Sequence, residues 1–162
     1  MPIPAQIVIL LSGIPATGKS EFARYLAREH SFAHYDLECY PRGWPHQELK
    51  KIWDADRTAF VSQLRKHHDR VALDWGFPTS CLQLVLELQK SGVKLVWFDG
   101  DIDRARQVFV QRGGIAVQTF ENQITEIRKA NFPASLDCVV IERLPDTGKF
   151  MENLRVTNMI FS

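Results

Sequence analysis

The chain has 162 residues, with 20 Lys and Arg against 19 Asp and Glu, 45% hydrophobic and 24% charged residues, the composition of an ordinary globular protein. A net charge of +1 supplies no global attraction to nucleic acid or to an anionic membrane, and the longest apolar runs, 7–11 and 93–98, fall far short of the roughly 20 residues that span a bilayer. Cys39, Cys81 and Cys138 fit neither a disulfide framework nor a CxxC metal site, and the N-terminal segment lacks the basic and cleavage features of a secretory signal, so reduced thiols and a cytoplasmic protein are expected.

Gln6–Ser12 is a compact aliphatic run that stops at Gly13, the pattern of a strand buried on both faces. Phe22, Ala23, Leu26 and Ala27 then recur at helical spacing to about Glu29, and Phe32–Leu37 reads as a short second strand. Pro41, Gly43 and Pro45 break the chain. Beyond them Leu49, Ile52, Trp53, Phe60 and Leu64 trace one face toward His67, which predicts the longest helix. Arg70–Asp74 is a strand ending in an acid, followed by a helix through Cys81, Leu84, Val85 and Leu88 that Gly92 stops. Val93–Asp99 is a fourth strand. Ile102, Ala105, Val108 and Phe109 mark a helix ended by Gly113 and Gly114, and Phe120, Ile124 and Ile127 mark another. Cys138–Glu142 is a fifth strand, and the tail from Phe150 carries no decisive pattern. Such alternation points to an α/β fold, a parallel sheet covered by helices on both faces, whose ligands sit beyond the carboxyl ends of the strands.

Directly between the first strand and the first helix stand Gly13, Ile14, Pro15, Ala16, Thr17, Gly18, Lys19 and Ser20, a match to G-x4-G-K-[ST]. A bound triphosphate needs several backbone N–H groups aimed at one point, and glycine permits the torsions and the close approach. The helix starting near Lys19 adds its positive end. Lys19 is suited to the β- and γ-phosphates of ATP, and the Ser20 hydroxyl to Mg²⁺. Asp74, at the end of an apolar strand, is the second candidate for holding Mg²⁺, through water.

This phosphate loop, Asp36 at the end of the second strand, Leu-Asp-Trp-Gly-Phe at 73–77 and an Arg-bearing helix after Val-Trp-Phe-Asp together resemble the small P-loop kinases, which include shikimate, gluconate, adenylate and polynucleotide kinases. The likeness in element order spans about residues 6–145, with only the phosphate loop specific at motif level. It implies a P-loop NTPase fold with a five-stranded parallel sheet in the order 2-3-1-4-5. It also implies one kinase domain over 1–162, with an acceptor-side region near 38–60 and a lid near 101–118. Asp36 matches the position of a carboxylate that orients or deprotonates the acceptor hydroxyl, and Arg112 matches a lid arginine that neutralises charge on the transferring phosphoryl group. The lid departs from the adenylate kinase arrangement at Val108, where a second arginine commonly stands; Arg104 or Arg106 is the candidate substitute, Arg106 as a nucleotide contact.

On the acceptor side Glu38, Tyr40, Arg42, Trp44 and Arg57 are close in sequence, and Arg42 and Arg57 have the bidentate geometry to clamp an anionic substrate. Trp75 and Phe77 either wall the acceptor pocket or pack in the core. The five histidines, His30, His34, His46, His67 and His68, show no metal-ligand spacing and are assigned to surface or packing. A GTPase is disfavoured because the chain has neither N-K-x-D nor D-x-x-G. The expected activity is Mg²⁺- and ATP-dependent phosphorylation of a small hydroxyl-bearing acceptor. A kinase of nucleic-acid ends, which requires a basic groove near Arg42 and Arg57, and a regulatory nucleotide-binding protein remain as alternatives.

Overall fold

The computed structural model describes residues 2–38 and 41–162, so the readings placed on Cys39 and Tyr40 lie outside the described residues. The strands are β1 (Ile7–Gly13), β2 (Ala33–Asp36), β3 (Arg70–Asp74), β4 (Lys94–Gly100) and β5 (Val139–Leu144). They form one sheet in the order β2-β3-β1-β4-β5, parallel at every pairing, as the family resemblance implies. β1 takes the centre because Val8, Ile9, Leu10 and Leu11 are all apolar, so that four successive residues can be buried on both faces of the sheet. The helices are α1 (Lys19–His30), α2 (Leu49–Ala55), α3 (Arg57–His67), α4 (Leu82–Lys90), α5 (Ile102–Arg112), α6 (Val117–Lys129) and α7 (Asn153–Phe161). None of them is long and apolar enough to cross a membrane.

Strand alternation divides the core in two. Val8, Leu10, Val71, Leu73, Leu95 and Trp97 face one side, where Trp53, Phe60, Leu64, Val85, Leu88, Phe120 and Ile124 of α2, α3, α4 and α6 pack on them. Ile9, Leu11, Ala72, Val96, Phe98 and Ile141 face the other, under Phe22, Ala23 and Leu26 of α1 and Val156, Ile160 and Phe161 of α7. The tail that carries no decisive pattern in the sequence thus becomes a helix whose apolar side completes the second layer.

One expectation is corrected. Residues 49–67 form two helices, because Asp56 leaves helical torsions (φ −160°, ψ 111°) between them. Its backbone N–H closes α2 on the Ile52 carbonyl, and its carboxylate accepts the Ala59 N–H at 3.2 Å, capping α3. The longest helix among the described residues is therefore α6, with 13 residues.

The β5–α7 connection is anchored by Arg143, which is 1% exposed. Its Nη1 donates to the Met151 carbonyl and its Nη2 to Asn153 Oδ1 at 2.9 Å. The guanidinium lies over the rings of Phe22, Phe98 and Phe150, 5.5–5.9 Å from their centroids. Burial pushes its pKa down, partly offset by Glu21 of α1, whose carboxylate is 3.9 Å away.

Candidate active site

β1 delivers the phosphate loop to the edge of the sheet. Gly13 has φ +138°, and a Cβ there would stand 2.1 Å from the Phe98 carbonyl oxygen, so the strand end admits only glycine. Ala16 and Gly18 also take positive φ, 64° and 78°, and turn the chain sharply into α1. The buried Thr17 hydroxyl donates to the Ile14 carbonyl at 2.8 Å and stiffens the loop from beneath. No side chain among the described residues caps α1. Its first N–H groups therefore stay available to an anion.

Lys19 Nζ also donates to the Ile14 carbonyl, at 3.0 Å. Burial pulls its ammonium pKa below the ordinary value; the Glu38 and Asp74 carboxylates oppose that shift and Arg112 adds to it. Asp74 ends β3 in register with Leu11 of β1 and Asp36 of β2, and is 2% exposed. Its Oδ2 lies 3.2 Å from His34 Nε2, which makes His34 a partner of this carboxylate rather than a surface group. Glu38 reaches the same place from the turn after β2, where Oε1 accepts the Gly76 N–H at 2.7 Å. A Cβ on Gly76 would stand 2.8 Å from that oxygen and 3.5 Å from Lys19 Cε, so a side chain there would displace the Glu38 carboxylate.

These groups open onto a cleft of ≈ 800 Å³. Gly13, Pro15, Ala16, Gly18, Lys19 and Ser20 form its floor, and Glu38, Asp74, Gly76 and Phe77 one wall. Arg112, Gly113 and Ile115 at the α5–α6 connection, with Thr119, Asn122, Gln123 and Glu126 of α6, form the opposite wall. Residues 110–119 are all exposed, and Gly113 and Gly114 both have positive φ.

The structure brings together most of the phosphate-site residues named from the sequence, with Ile14 and Thr17 buried behind the loop. Asp36, Arg42, Arg57, Trp75 and Arg106 do not line the cleft. Asp36 Oδ1 accepts the Glu38 N–H at 2.9 Å, and the Asp36 carbonyl accepts Trp44 Nε1–H at 2.8 Å, so its interactions organise the turn that carries Glu38. Arg57 pairs with Glu87 at 2.8 Å and bonds the Trp53 and Asp54 carbonyls, tying α2 to α4. Arg42 is exposed. Trp75 packs edge-on against Trp53 in the core, whereas its neighbour Phe77 reaches the cleft.

Arg106 is held by Glu121 and Asp103 and lies over Phe120, clasping α5 to α6; these hydrogen bonds push its pKa further up. Arg104 donates to the Asp146 carbonyl at 2.8 Å, latching α5 to the β5–α7 connection. Arg112, by contrast, lines the cleft. Thr119, Asn122, Gln123 and Glu126 of α6 are cleft residues that no sequence motif marks; their signal is a polar row at helical spacing beside Phe120, Ile124 and Ile127. His46 and His67 lie at the surface with stacked rings, in keeping with their assignment to surface or packing, and meet Glu48 outside the cleft.

Among solved structures, a gluconokinase from Sinorhizobium meliloti 1021 matches over 97% of this chain and 90% of its own, with a TM-score of 0.59 and 10% identity. A shikimate kinase from Bacteroides thetaiotaomicron matches over 95% and 94%, with a TM-score of 0.57 and 15% identity. The chain has the small P-loop kinase fold. A deoxyadenosine kinase from M. mycoides with bound dATP shares it as well, over 96% of this chain and 100% of its own, with a TM-score of 0.56 and 10% identity. No protein-family model matches the sequence, and no curated protein matches it. The likeness is therefore one of fold, and chemistry has to be argued from the cleft.

Proposed function

We propose that the protein is an ATP-dependent kinase that transfers the γ-phosphoryl group to a hydroxyl of a small molecule. The observation that carries this reading is the convergence of Lys19, Ser20, Asp74, Glu38 and Arg112 on one cleft large enough for a nucleotide and a small acceptor. The kinase fold of the neighbours supports it, and so does the bound dATP of one of them.

The donor set suits a hard divalent cation, because the Ser20 hydroxyl and the nearly buried Asp74 carboxylate offer oxygen at the mouth of a phosphate cradle. Mg²⁺ held there would neutralise charge between the β- and γ-phosphates. The loop N–H groups and the N-terminus of α1 bind the phosphates, and Lys19 leaves the Ile14 carbonyl to meet them. Arg112, at the end of α5 on the cleft wall, stabilises the charge that spreads over the γ-phosphate oxygens during transfer. Glu38 orients the acceptor hydroxyl and takes its proton, while Asp36 fixes the turn that presents Glu38. That division of labour moves the acceptor-side role two residues on from Asp36. The acceptor-side region at 38–60, the lid at 101–118, a single kinase domain over 1–162 and a cytoplasmic setting belong to the same proposal.

The test is a panel of sugars, hydroxy acids, nucleosides and aminoglycosides, scored by acceptor-dependent ADP release and by mass detection of the phosphorylated product. ATP with Mg²⁺ that neither raises the melting temperature nor yields product with any acceptor would overturn the reading.

A further inference from the structure

On the acceptor side, away from the cleft, three metal-ligating side chains meet from separate parts of the chain. His46 and Glu48 lie in the connection before α2, and His67 ends α3. One ligand atom from each falls within 4.8 Å of the other two. His46 Nδ1 stands 3.2 Å from Glu48 Oε1, and the rings of His46 and His67 stack with centroids 4.0 Å apart. Donors at the usual zinc distances of about 2.1 Å on a tetrahedral centre are about 3.4 Å from one another. The His46–Glu48 edge already has that spacing, and the exposed His67 needs only side-chain rotation to supply the third vertex.

We propose that His46, Glu48 and His67 bind a divalent first-row transition metal, Zn²⁺ by preference, with water at the fourth position. Two imidazoles and one carboxylate exclude Mg²⁺ and Ca²⁺, which take oxygen donors, and suit the borderline ions. The frame behind the donors is fixed. Trp44 is buried against Tyr35 and Phe60 and donates to the Asp36 carbonyl, which sets where His46 emerges two residues later. The Leu49 N–H bonds the His46 carbonyl at 3.2 Å. On the α3 side, His68 next to His67 is tied to the buried Tyr35 hydroxyl through Nε2 at 2.9 Å, so it serves the frame and not the donor set. A bound ion clasps the 44–48 segment to the end of α3 and so braces the turn that carries Asp36 and Glu38. This site is independent of the phosphate cleft and does not rest on the kinase reading.

The test uses the untagged full chain, stripped with a chelator and titrated calorimetrically with Zn²⁺, with Co²⁺ as an absorption probe. The expected result is one high-affinity Zn²⁺ per chain and the visible bands of four-coordinate Co²⁺. His46→Gln and His67→Gln should each weaken binding by about 100-fold or more, since loss of a mere supporting partner already costs about 10- to 100-fold. Asp74→Asn should leave it unchanged, which separates this site from the phosphate cleft. Hydrogen exchange should slow at 44–48 and 64–68 when Zn²⁺ is added, a readout that stands if a variant fails to fold. Parental affinity in the His46→Gln/His67→Gln double variant overturns the proposal. So does a parent chain that takes up no Zn²⁺, or protection confined to the phosphate loop.

Discussion

Glu38→Gln separates the two acidic residues at the end of β2. The glutamine side-chain oxygen still accepts the Gly76 N–H that Glu38 Oε1 accepts at 2.7 Å, so the turn and the wall of the cleft keep their shape. What disappears is a negative charge facing Lys19 and the site of the phosphates, and with it the capacity to take a proton. Binding of Mg²⁺–ATP should therefore stay within a few-fold or tighten, because a repulsion is removed. Phosphoryl transfer should fall by about 10²–10⁴, the usual contribution of a positioned base, equivalent to about 2.7–5.5 kcal/mol of barrier. Asp36→Asn, whose Oδ1 can still accept the Glu38 N–H, should cost less than about tenfold. The assay pairs nucleotide-induced melting shifts with initial rates on an acceptor identified from the panel. If Glu38→Gln transfers at the parental rate while Asp36→Asn loses about 100-fold, the carboxylate that serves the acceptor is Asp36, and the reasoning from the cleft lining is refuted.

Lys19→Ala should abolish most of the melting shift produced by Mg²⁺–ATP, which for the parent at 100 times Kd corresponds to about 2.7 kcal/mol, or about 5–10 °C at this size; an undiminished shift contradicts the phosphate role. Arg112→Ala should lower turnover by about two to three orders of magnitude with a smaller effect on ATP affinity, and steady-state kinetics showing equal losses would make it a ground-state contact. Gly13→Ala drives a methyl group into the Phe98 carbonyl and should cost more than about 4 kcal/mol, so a parental urea midpoint would disprove the packing described for the strand end. Asp56→Ala should cost about 0.5–2 kcal/mol in chemical denaturation through loss of the α3 cap, whereas Asp56→Asn should retain most of it.

The alternation of strands and helices was accessible from the chain because the phosphate loop fixes β1 and α1 and the remaining aliphatic runs are short and well separated, whereas the strand order followed only from the resemblance to the small P-loop kinases. Asp74 was accessible for the same reason: a strand this short leaves its last residue at the carboxyl edge. The break at Asp56 was not, because Ile52, Trp53 and Phe60 keep helical spacing across it and one side chain decides the outcome. Arg57 and Arg106 looked available for ligands because their partners, Glu87 and Glu121, are remote in sequence and declare themselves only after the helices pack. Asp36 and Glu38 differ by a turn whose geometry comes from Trp44 and Gly76, residues supplied by two other connections. The meeting of His46 with His67 is likewise a product of α3 returning past the β2 end, with no trace in local spacing.

The guanidinium of Arg143 sets limits on how the gene can be edited. Both of its hydrogen-bond acceptors, the Met151 carbonyl and Asn153 Oδ1, lie after β5, and its third ring contact is Phe150. A chain cut before Met151 would strand a buried cation directly behind the loop: a Cβ on Gly18 would stand only 3.8 Å from Arg143 Nε. A buried charge stripped of its hydrogen bonds is costly even with a carboxylate nearby, here that of Glu21 at 3.9 Å. Shortened versions made to improve crystals or expression should therefore lose nucleotide binding along with solubility, even though every phosphate-loop residue is retained.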